Sequence, residues 1–211
     1  MRWLIVVDFD GTITDRDTQD ALLEKYAPDA YEVAERGLSD GRLTLRECME
    51  MEFAPVRGDH DALVAEAVGD AVVRPGFAEF VRAAQAGGHR LVIVSGGFES
   101  IIRPILAREG ADHLEVIAHE VHFSPDGTRL DFRHGEGCAV CGQECKRSVV
   151  DELRNGNPVA YVGDGFSDRC AAVAADRRFA RHSLAADLDG MGLDYTPFDD
   201  FHTVREALFG T

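Results

Sequence analysis

Residues 5–14, IVVDFDGTIT, place two aspartates directly after an apolar run. The residues from Trp3 to Val7 are all apolar and several are β-branched, which predicts a strand buried on both faces of a parallel sheet. Such a strand gains nothing from two like charges at its end, because burial and mutual repulsion both oppose ionisation. Asp8 and Asp10 are therefore either a solvated strand end or functional groups.

Two further apolar runs, Leu91–Val94 and Val159–Val162, repeat this pattern and end in SGGFES and GDGFSD. Helical patterns lie at residues 76–86, 99–108 and 146–154. Strands that alternate with helices predict an α/β fold, a Rossmann-like parallel sheet sandwiched by helices. Ligands of such sheets bind beyond the carboxyl ends of the strands, so we expect the three polar turns to meet at one edge.

Residues 17–73 do not follow the alternation. They predict several helices, with breaks at Pro28, residues 37–41 and residues 55–58. Because structureless loops longer than about 15 residues are uncommon, we predict a helical cap over residues 17–73. The α/β core then consists of residues 1–16 and 74–211. Further along, Pro125-Asp126-Gly127 predicts the turn of a β-hairpin within residues 119–134.

The charge of the chain argues against nucleic acid as a partner. The 211 residues include 22 Lys plus Arg and 38 Asp plus Glu, a net charge of −16, whereas nucleic-acid binding depends on Lys and Arg.

No signal peptide or membrane span is predicted, so we expect a cytoplasmic protein. Five cysteines, an odd number, do not indicate a disulfide framework, and nothing in the sequence indicates an oligomeric state.

Four carboxylates are expected at the shared edge of the sheet: Asp8 and Asp10 after the first strand, Asp164 and Asp168 after the third. They would repel one another unless a cation neutralised them. Oxygen ligands favour a hard divalent ion, so the sequence predicts Mg²⁺ with several retained waters.

Ser95, Gly96 and Gly97 offer a hydroxyl and unhindered N–H groups at an expected helix start, which suits a phosphate. Lys146 is expected to open another helix and to supply the positive charge that phosphoryl transfer needs. Each has a structural alternative. Ser95 could instead be a helix N-cap, and Lys146 could be a solvated lysine at a helix start. Asp168 could stabilise a helix N-terminus, alone or in addition to its role at the site.

Together these motifs resemble the phosphatase branch of the haloacid dehalogenase superfamily. A DxD pair alone is common by chance, but four elements in order at strand ends are specific. They are Asp8-Phe9-Asp10-Gly11-Thr12, Ser95, Lys146 and Gly163-Asp164-Gly165-Phe166-Ser167-Asp168.

The resemblance implies a role for each residue. Asp8 would be the nucleophile that forms an aspartyl-phosphate, and Asp10 would protonate the leaving oxygen and then deprotonate the attacking water. Mg²⁺ would be bound by the Asp8 carboxylate, the Asp10 carbonyl and Asp164. Asp168 would bind it through water or orient Lys146. Ser95 and Lys146 would hold the phosphoryl oxygens.

A helical cap between the first two motifs resembles the phosphoserine-phosphatase branch. The chain is most similar to the subgroup that acts on 2-hydroxy-3-keto-5-methylthiopentenyl 1-phosphate in methionine salvage. The similarity lies in the stretches DFDGTIT, LTLRE and SGGF and in a cysteine-rich segment before the lysine. Met49, Met51 and Phe53 would line a pocket for the methylthio group or form the core of the cap. Phosphoserine, the alternative substrate, needs a charged clamp, for which the candidates are Asp15, Asp17, Arg46 and Arg57.

The cysteine-rich segment allows three interpretations. His134, Cys138, Cys141 and Cys145 have residue types that suit a zinc site of three cysteines and one histidine, although the spacing is tight. A redox-sensitive thiol pair and plain reduced cysteines are the others. Cys48 and Cys170 are interpreted as packing residues.

The expected function is Mg²⁺-dependent hydrolysis of a small phosphorylated metabolite. A phosphotransferase or mutase of the same fold would instead return the phosphoryl group to an acceptor alcohol. A non-catalytic binding module is a third possibility, against which the intact Asp8 and Asp10 argue.

Overall fold

A computed structural model describes residues 2–134, 137–142 and 145–210. Seven strands form one sheet in the order β4-β3-β2-β1-β5-β6-β7, with β1 in the middle. Strand β4 is antiparallel to β3, and the other pairings are parallel. The predicted α/β fold is confirmed. The strands are β1 (Leu4–Val7), β2 (Arg90–Phe98), β3 (Glu115–Phe123), β4 (Thr128–Asp131), β5 (Val159–Gly163), β6 (Arg177–Ala180) and β7 (Thr196–Pro197).

Helices cover both faces of the sheet because successive side chains of a strand point to opposite faces. Leu4 and Val6 of β1 pack with α7–α9, whereas Ile5 and Val7 belong to the larger core that contains α5, α6 and α10. The helices are α1 (Asp20–Tyr26), α2 (Pro28–Ser39), α3 (Leu45–Phe53), α4 (His60–Asp70), α5 (Phe77–Ala86), α6 (Glu99–Arg108), α7 (Arg147–Arg154), α8 (Arg169–Ala174), α9 (His182–Met191) and α10 (Phe201–Phe209).

Helices α1–α4 occupy the segment between β1 and α5. The chain leaves and re-enters side by side: Thr14 bridges Val73, and the Arg74 amide donates to the Ile13 carbonyl oxygen at 2.9 Å. Buried side chains of α1, α3 and α4 continue the same core as Ile5. The division into a cap of residues 17–73 and a core of residues 1–16 and 74–211 stays a prediction.

Two local predictions are wrong. SGGF is not a turn, because β2 continues to Phe98, which pairs with His119 of β3 after a shift in register. Gly37 does not break a helix either. It lies inside α2, where a Cβ atom would collide with the Leu43 side chain, so packing explains the glycine.

The hairpin of β3 and β4 around residues 125–127 confirms another prediction. After Asp168, where the sequence analysis indicates only the start of a helix, the chain contains α8, β6, α9, β7 and α10. In the part of the chain that the structure describes, no helix is long and apolar enough to cross a bilayer.

Candidate active site

Asp8 lies immediately after β1, at the carboxyl edge of the sheet. Its amide donates to the Val162 carbonyl oxygen of β5 at 2.9 Å, which continues the parallel pairing past the last strand residue. The side chain is buried, and its Oδ1 accepts from the Phe9 amide at 2.6 Å. The strand end therefore holds this carboxylate in one orientation.

Lys146 is buried beside Asp8 and Asp168. Its Nζ lies 2.5 Å from Oδ1 of Asp8 and 2.7 Å from Oδ1 of Asp168, and the lysine is only 2% exposed. Burial alone would lower the pKa of Lys146, but the two carboxylates outweigh it and raise that pKa. Lys146 is the N-cap residue of α7 and not a solvated lysine.

Asp168 is fully engaged by the protein. Besides Lys146, its Oδ1 accepts from the Tyr161 hydroxyl at 2.7 Å, and its Oδ2 accepts from the amides of Asp164 and Gly165 at 3.0 Å each. Burial opposes ionisation of Asp168, but the Lys146 ammonium and these donors outweigh burial and lower its pKa. Asp168 thus orients Lys146 and the Gly-Asp-Gly loop.

Asp164 approaches the first motif from the opposite loop. Its Oδ1 accepts from the Thr12 hydroxyl at 2.7 Å, and its Oδ2 lies 3.3 Å from Nδ1 of His182. A Cβ atom at Gly11, whose φ is +70°, would collide with this carboxylate. Glycine is therefore required there both by the backbone conformation and by the approach of Asp164.

Asp8, Asp164 and Asp168 each offer a carboxylate oxygen within 4.8 Å of the others. Burial first, and the charge of Asp168 second, raise the pKa of both Asp8 and Asp164. A cation bound between these two carboxylates would favour their ionised forms, and their oxygen donors fit a hard divalent ion. The residues present therefore fit Mg²⁺, with Asp8 and Asp164 as the available carboxylates.

Asp10 is held separately from this group. Its Oδ1 accepts from the amide and hydroxyl of Thr18, at 2.9 and 2.7 Å, and its Oδ2 lies 3.4 Å from the Ser95 hydroxyl. Burial raises the pKa of Asp10, against the Thr18 hydrogen bonds. A Cβ atom at Gly97 would collide with Oδ2, so the bulge of β2 keeps space for this carboxyl.

A cavity of about 870 Å³ opens over these groups. Ser95, Gly96 and Lys146, predicted to hold phosphate, line it together with Asp8 and Asp10. Its far wall comes from α1–α4 and the chain before α1, and it carries Asp15, Asp17, Asp20, Glu24, Glu35, Glu52 and Asp70. The structure thus places the predicted phosphate-binding residues and both catalytic candidates around one space.

The methionine-rich helix α3 contributes only part of the predicted apolar pocket. Met49 lines the cavity beside Leu45 and Leu23. Met51 is 38% exposed, and Phe53 is buried against Phe98, at 5.1 Å between ring centroids. Because helical neighbours two residues apart point in different directions, α3 cannot present all three predicted side chains to one ligand.

The charged clamp predicted for phosphoserine is not assembled. Asp15 and Asp17 line the cavity, but Arg57 donates to the carbonyl oxygens of Ala54 and Val56, and Arg46 lies over the Phe132 ring at 4.1 Å. Among the described residues that line the cavity, the arginine and lysine side chains are those of Arg16 and Lys146.

The predicted zinc ligands are brought together only in part. Cys138, Cys141 and Cys145 cluster, but His134 stacks on His119 with 4.1 Å between ring centroids. Its Nε2 also donates to the Ser95 carbonyl oxygen at 2.8 Å, which fixes the ring beside Ser95. The fourth member of the cluster is instead Cys170, which was interpreted above as a packing residue.

Sequence reasoning missed three side chains that support the site. Tyr161 had a usable signal, because a tyrosine inside a buried strand needs a partner for its hydroxyl. Thr18 and His182 had none, since their contacts with Asp10 and Asp164 depend on how separate segments pack.

Comparison with known proteins identifies the family. The model of the haloacid dehalogenase-like hydrolase family matches residues 5–172. The chain belongs to this family. The 2-hydroxy-3-keto-5-methylthiopentenyl-1-phosphate phosphatase of Bacillus cereus is 33% identical, covering 97% of the chain and 94% of its own length. The protein of the same name from Exiguobacterium sibiricum is 30% identical, covering 97% and 95%. The prediction that this hydrolase is a phosphatase is confirmed.

Solved structures agree on the fold of the family. A substrate-bound phosphoserine phosphatase matches with a TM-score of 0.76 and 16% identity, covering 98% of both chains. A phosphoserine phosphatase with a phospho-aspartyl intermediate analogue matches with a TM-score of 0.75 and 18% identity, covering 98% of both chains. At these identities the likeness extends to the fold alone.

Proposed function

We propose that this phosphatase hydrolyses a small phosphorylated metabolite through an aspartyl-phosphate on Asp8. The observation that carries the proposal is the buried Asp8 carboxylate, which faces the cavity with Lys146 2.5 Å away. Attack by a carboxylate on phosphorus divides one difficult displacement into two easier ones. The cation beside it offsets the negative charge that an incoming phosphoryl group brings to a buried site.

Asp10 is the proton-transfer group in this proposal. Its raised pKa and its position at the cavity suit a carboxyl that first protonates the leaving oxygen and then accepts a proton from the attacking water. The two bonds from Thr18 fix Oδ1, so Oδ2 is the oxygen that moves the proton. The Ser95 hydroxyl and the Gly96 amide would hold phosphoryl oxygens.

Mg²⁺, bound by Asp8, Asp164 and the main-chain carbonyl of Asp10, would supply the positive charge that polarises the phosphoryl group. Asp168 would act by orienting Lys146, because its own oxygens already accept four hydrogen bonds. Residues 17–73 would form the cap that closes the site over residues 1–16 and 74–211.

For the substrate we propose 2-hydroxy-3-keto-5-methylthiopentenyl 1-phosphate. The two relatives described above carry this name, and Met49, Leu45 and Leu23 offer an apolar area for a methylthio group. Phosphoserine is supported by fold similarity alone.

The test compares kcat/KM for the methylthio substrate and for phosphoserine, with and without Mg²⁺. We expect Mg²⁺-dependent release of inorganic phosphate and a clear preference for the methylthio ester. Borohydride reduction after rapid quenching should convert residue 8 into homoserine, because it reduces an acyl phosphate. A preference for phosphoserine overturns the substrate, and transfer of the phosphoryl group to an acceptor alcohol, without release of inorganic phosphate, overturns hydrolysis.

A further inference from the structure

The cysteine cluster takes no part in the chemistry proposed above. The Sγ atoms of Cys138, Cys141, Cys145 and Cys170 all lie within 4.8 Å of one another, with 3.6 Å between Cys141 and Cys145. We propose that these four cysteines bind one structural Zn²⁺ in a tetrahedral all-cysteine site.

The loop that carries Cys138 and Cys141 already has a shape suited to a metal. These two cysteines have the C-x2-C spacing of structural zinc sites. The Val140 amide donates to the Cys138 sulfur at 3.4 Å, and the Gly142 amide donates to the Cys138 carbonyl oxygen at 2.8 Å. Gly142 has a φ of +70°, which turns the chain sharply behind the second cysteine. Amide donors around a sulfur ligand fix its orientation, as polar groups around metal ligands generally do.

The close approach of four thiols calls for an explanation, since two of them, Cys138 and Cys145, are buried. Metal binding would release the thiol protons, and the ion would compensate the resulting thiolate charge. Soft thiolates select Zn²⁺ over Mg²⁺, so this cluster and the carboxylates around Asp8 would not compete for the same ion.

Cys170 decides between this site and the alternative in which His134 is the fourth ligand. It lies in α8, 25 residues after Cys145, and yet joins the other three sulfurs. His134 contacts Ser95 and His119 instead. The ligand set therefore combines three cysteines of one loop with one cysteine of a helix on another segment.

The position of the cluster indicates what the ion would stabilise. Cys145 immediately precedes Lys146, and Cys170 follows Asp168 by two residues, so the ligands flank the buried ion pair of 2.7 Å. The Lys146 amide also donates to the Ser167 carbonyl oxygen at 3.4 Å. A bound ion would cross-link the two segments that hold Lys146 in place.

The first experiment uses the full-length wild-type protein, purified without chelator in the presence of reductant. Elemental analysis is expected to find about one Zn²⁺ per chain. Exchange for Co²⁺ is expected to give sulfur-to-cobalt charge-transfer absorption together with the strong visible bands of a tetrahedral site. This spectrum reports on the site without any variant, so it stays informative if a substituted protein fails to fold.

The second experiment compares Cys170→Ser with His134→Ala and Cys48→Ser, after dialysis against a weak chelator. The proposal expects Cys170→Ser to retain less than about a tenth of the wild-type zinc, and both controls to retain all of it. Loss of zinc in His134→Ala with retention in Cys170→Ser would overturn the ligand set. Absence of both zinc and cobalt absorption in the wild type, with free thiols or with a disulfide shown by mass spectrometry, would overturn the site itself.

Discussion

The two sides of the cavity accommodate buried acidic side chains in different ways. At the sheet edge, the ammonium of Lys146 lies between Asp8 and Asp168 and lowers the pKa of Asp168 despite its burial. On the far wall, burial raises the pKa of Glu52 to about 8, and burial together with neighbouring carboxylates raises that of Asp17. Asp168 keeps its buried charge because it is paired, whereas burial favours the protonated forms of Glu52 and Asp17.

This difference predicts unequal responses to substitution. Removing one member of a buried ion pair leaves an uncompensated charge, which costs far more than the pair contributes. Removing a carboxyl that is already protonated leaves no such charge. Substitutions at the edge should therefore affect catalysis and folding strongly, whereas those on the far wall should act on substrate preference and pH dependence.

The largest effect is expected for Asp8→Asn. The amide cannot act as the nucleophile, so kcat should fall by about 10⁴-fold or more. The free energy of unfolding should fall less than on loss of Lys146, because the Lys146 ammonium keeps its ion pair with Asp168 at 2.7 Å. Phosphate release and thermal unfolding measured on the same preparation separate the two outcomes. Activity near that of the wild type would contradict the assignment of Asp8.

Lys146→Met tests the charge pairing directly. It leaves Asp8 and Asp168 buried without their ammonium, so we expect a loss of about 3–5 kcal/mol in the free energy of unfolding. Lys25→Met is the matched control, because Lys25 also forms a 2.7 Å ion pair, with Glu66, but its side chain is 57% exposed. Urea unfolding should show little change for the control. Equal losses for both variants would refute the difference between buried and exposed pairs.

Gly97→Ala probes the space that β2 leaves for Asp10. A Cβ atom there would collide with Asp10 Oδ2 and displace the proton-transfer oxygen, so kcat should fall by about 10²-fold. Gly69→Ala is the control, since no described atom outside its own helix lies within 4 Å of a Cβ atom at that position. A changed pH profile of kcat in Gly97→Ala would distinguish displacement of Asp10 from a general loss of folding.

The same contrast explains what sequence could predict. The edge was predictable because β1 and β5 are continuous apolar runs whose parallel pairing brings Asp8 and Asp164 to one place. The apolar runs and the aspartates that follow them are local sequence patterns, so this placement can be predicted from the sequence. The continuation of β2 through SGGF was not predictable, since it depends on the pairing of Phe98 with His119 across a bulge.

The far wall and the cysteine cluster depend on contacts between distant segments. The helical periodicity of α3 indicates a buried face, but not which of Met49 and Met51 meets the cavity. Likewise, the segment with Cys138 and Cys141 carries no signal for a ligand as remote as Cys170. The spacing of cysteines along the chain predicts ligands within one loop. It does not predict Cys170, which the packing of α8 places beside the other three cysteines.

Met49→Ala tests whether a side chain of the far wall determines substrate preference. Removing the apolar side chain should lower kcat/KM for the methylthio ester by about 10-fold through KM, because a few methylene-sized contacts are lost. Turnover of an aryl phosphate without a methylthio group should change less. Met51→Ala lies on the same helix but is exposed, and it should leave both substrates unaffected. Equal losses on both substrates would show that Met49 only packs the interior.

The smallest effect is expected for Glu52→Gln, and it appears in the pH dependence of stability. Glu52 keeps its proton in the folded protein up to about pH 8, whereas the unfolded chain releases it near the usual pKa of 4.5. The folded state then binds more protons, so this residue makes the free energy of unfolding fall as the pH rises through that interval.

Glutamine has no proton to lose. Between pH 6 and pH 8 the wild type should therefore lose about 1–2 kcal/mol relative to Glu52→Gln. Glu50→Gln, on the exposed side of the same helix, should follow the wild type. Parallel urea titrations of the three proteins that stay equidistant across this range would show that Glu52 is ionised, and the far wall would then hold unpaired charge as well.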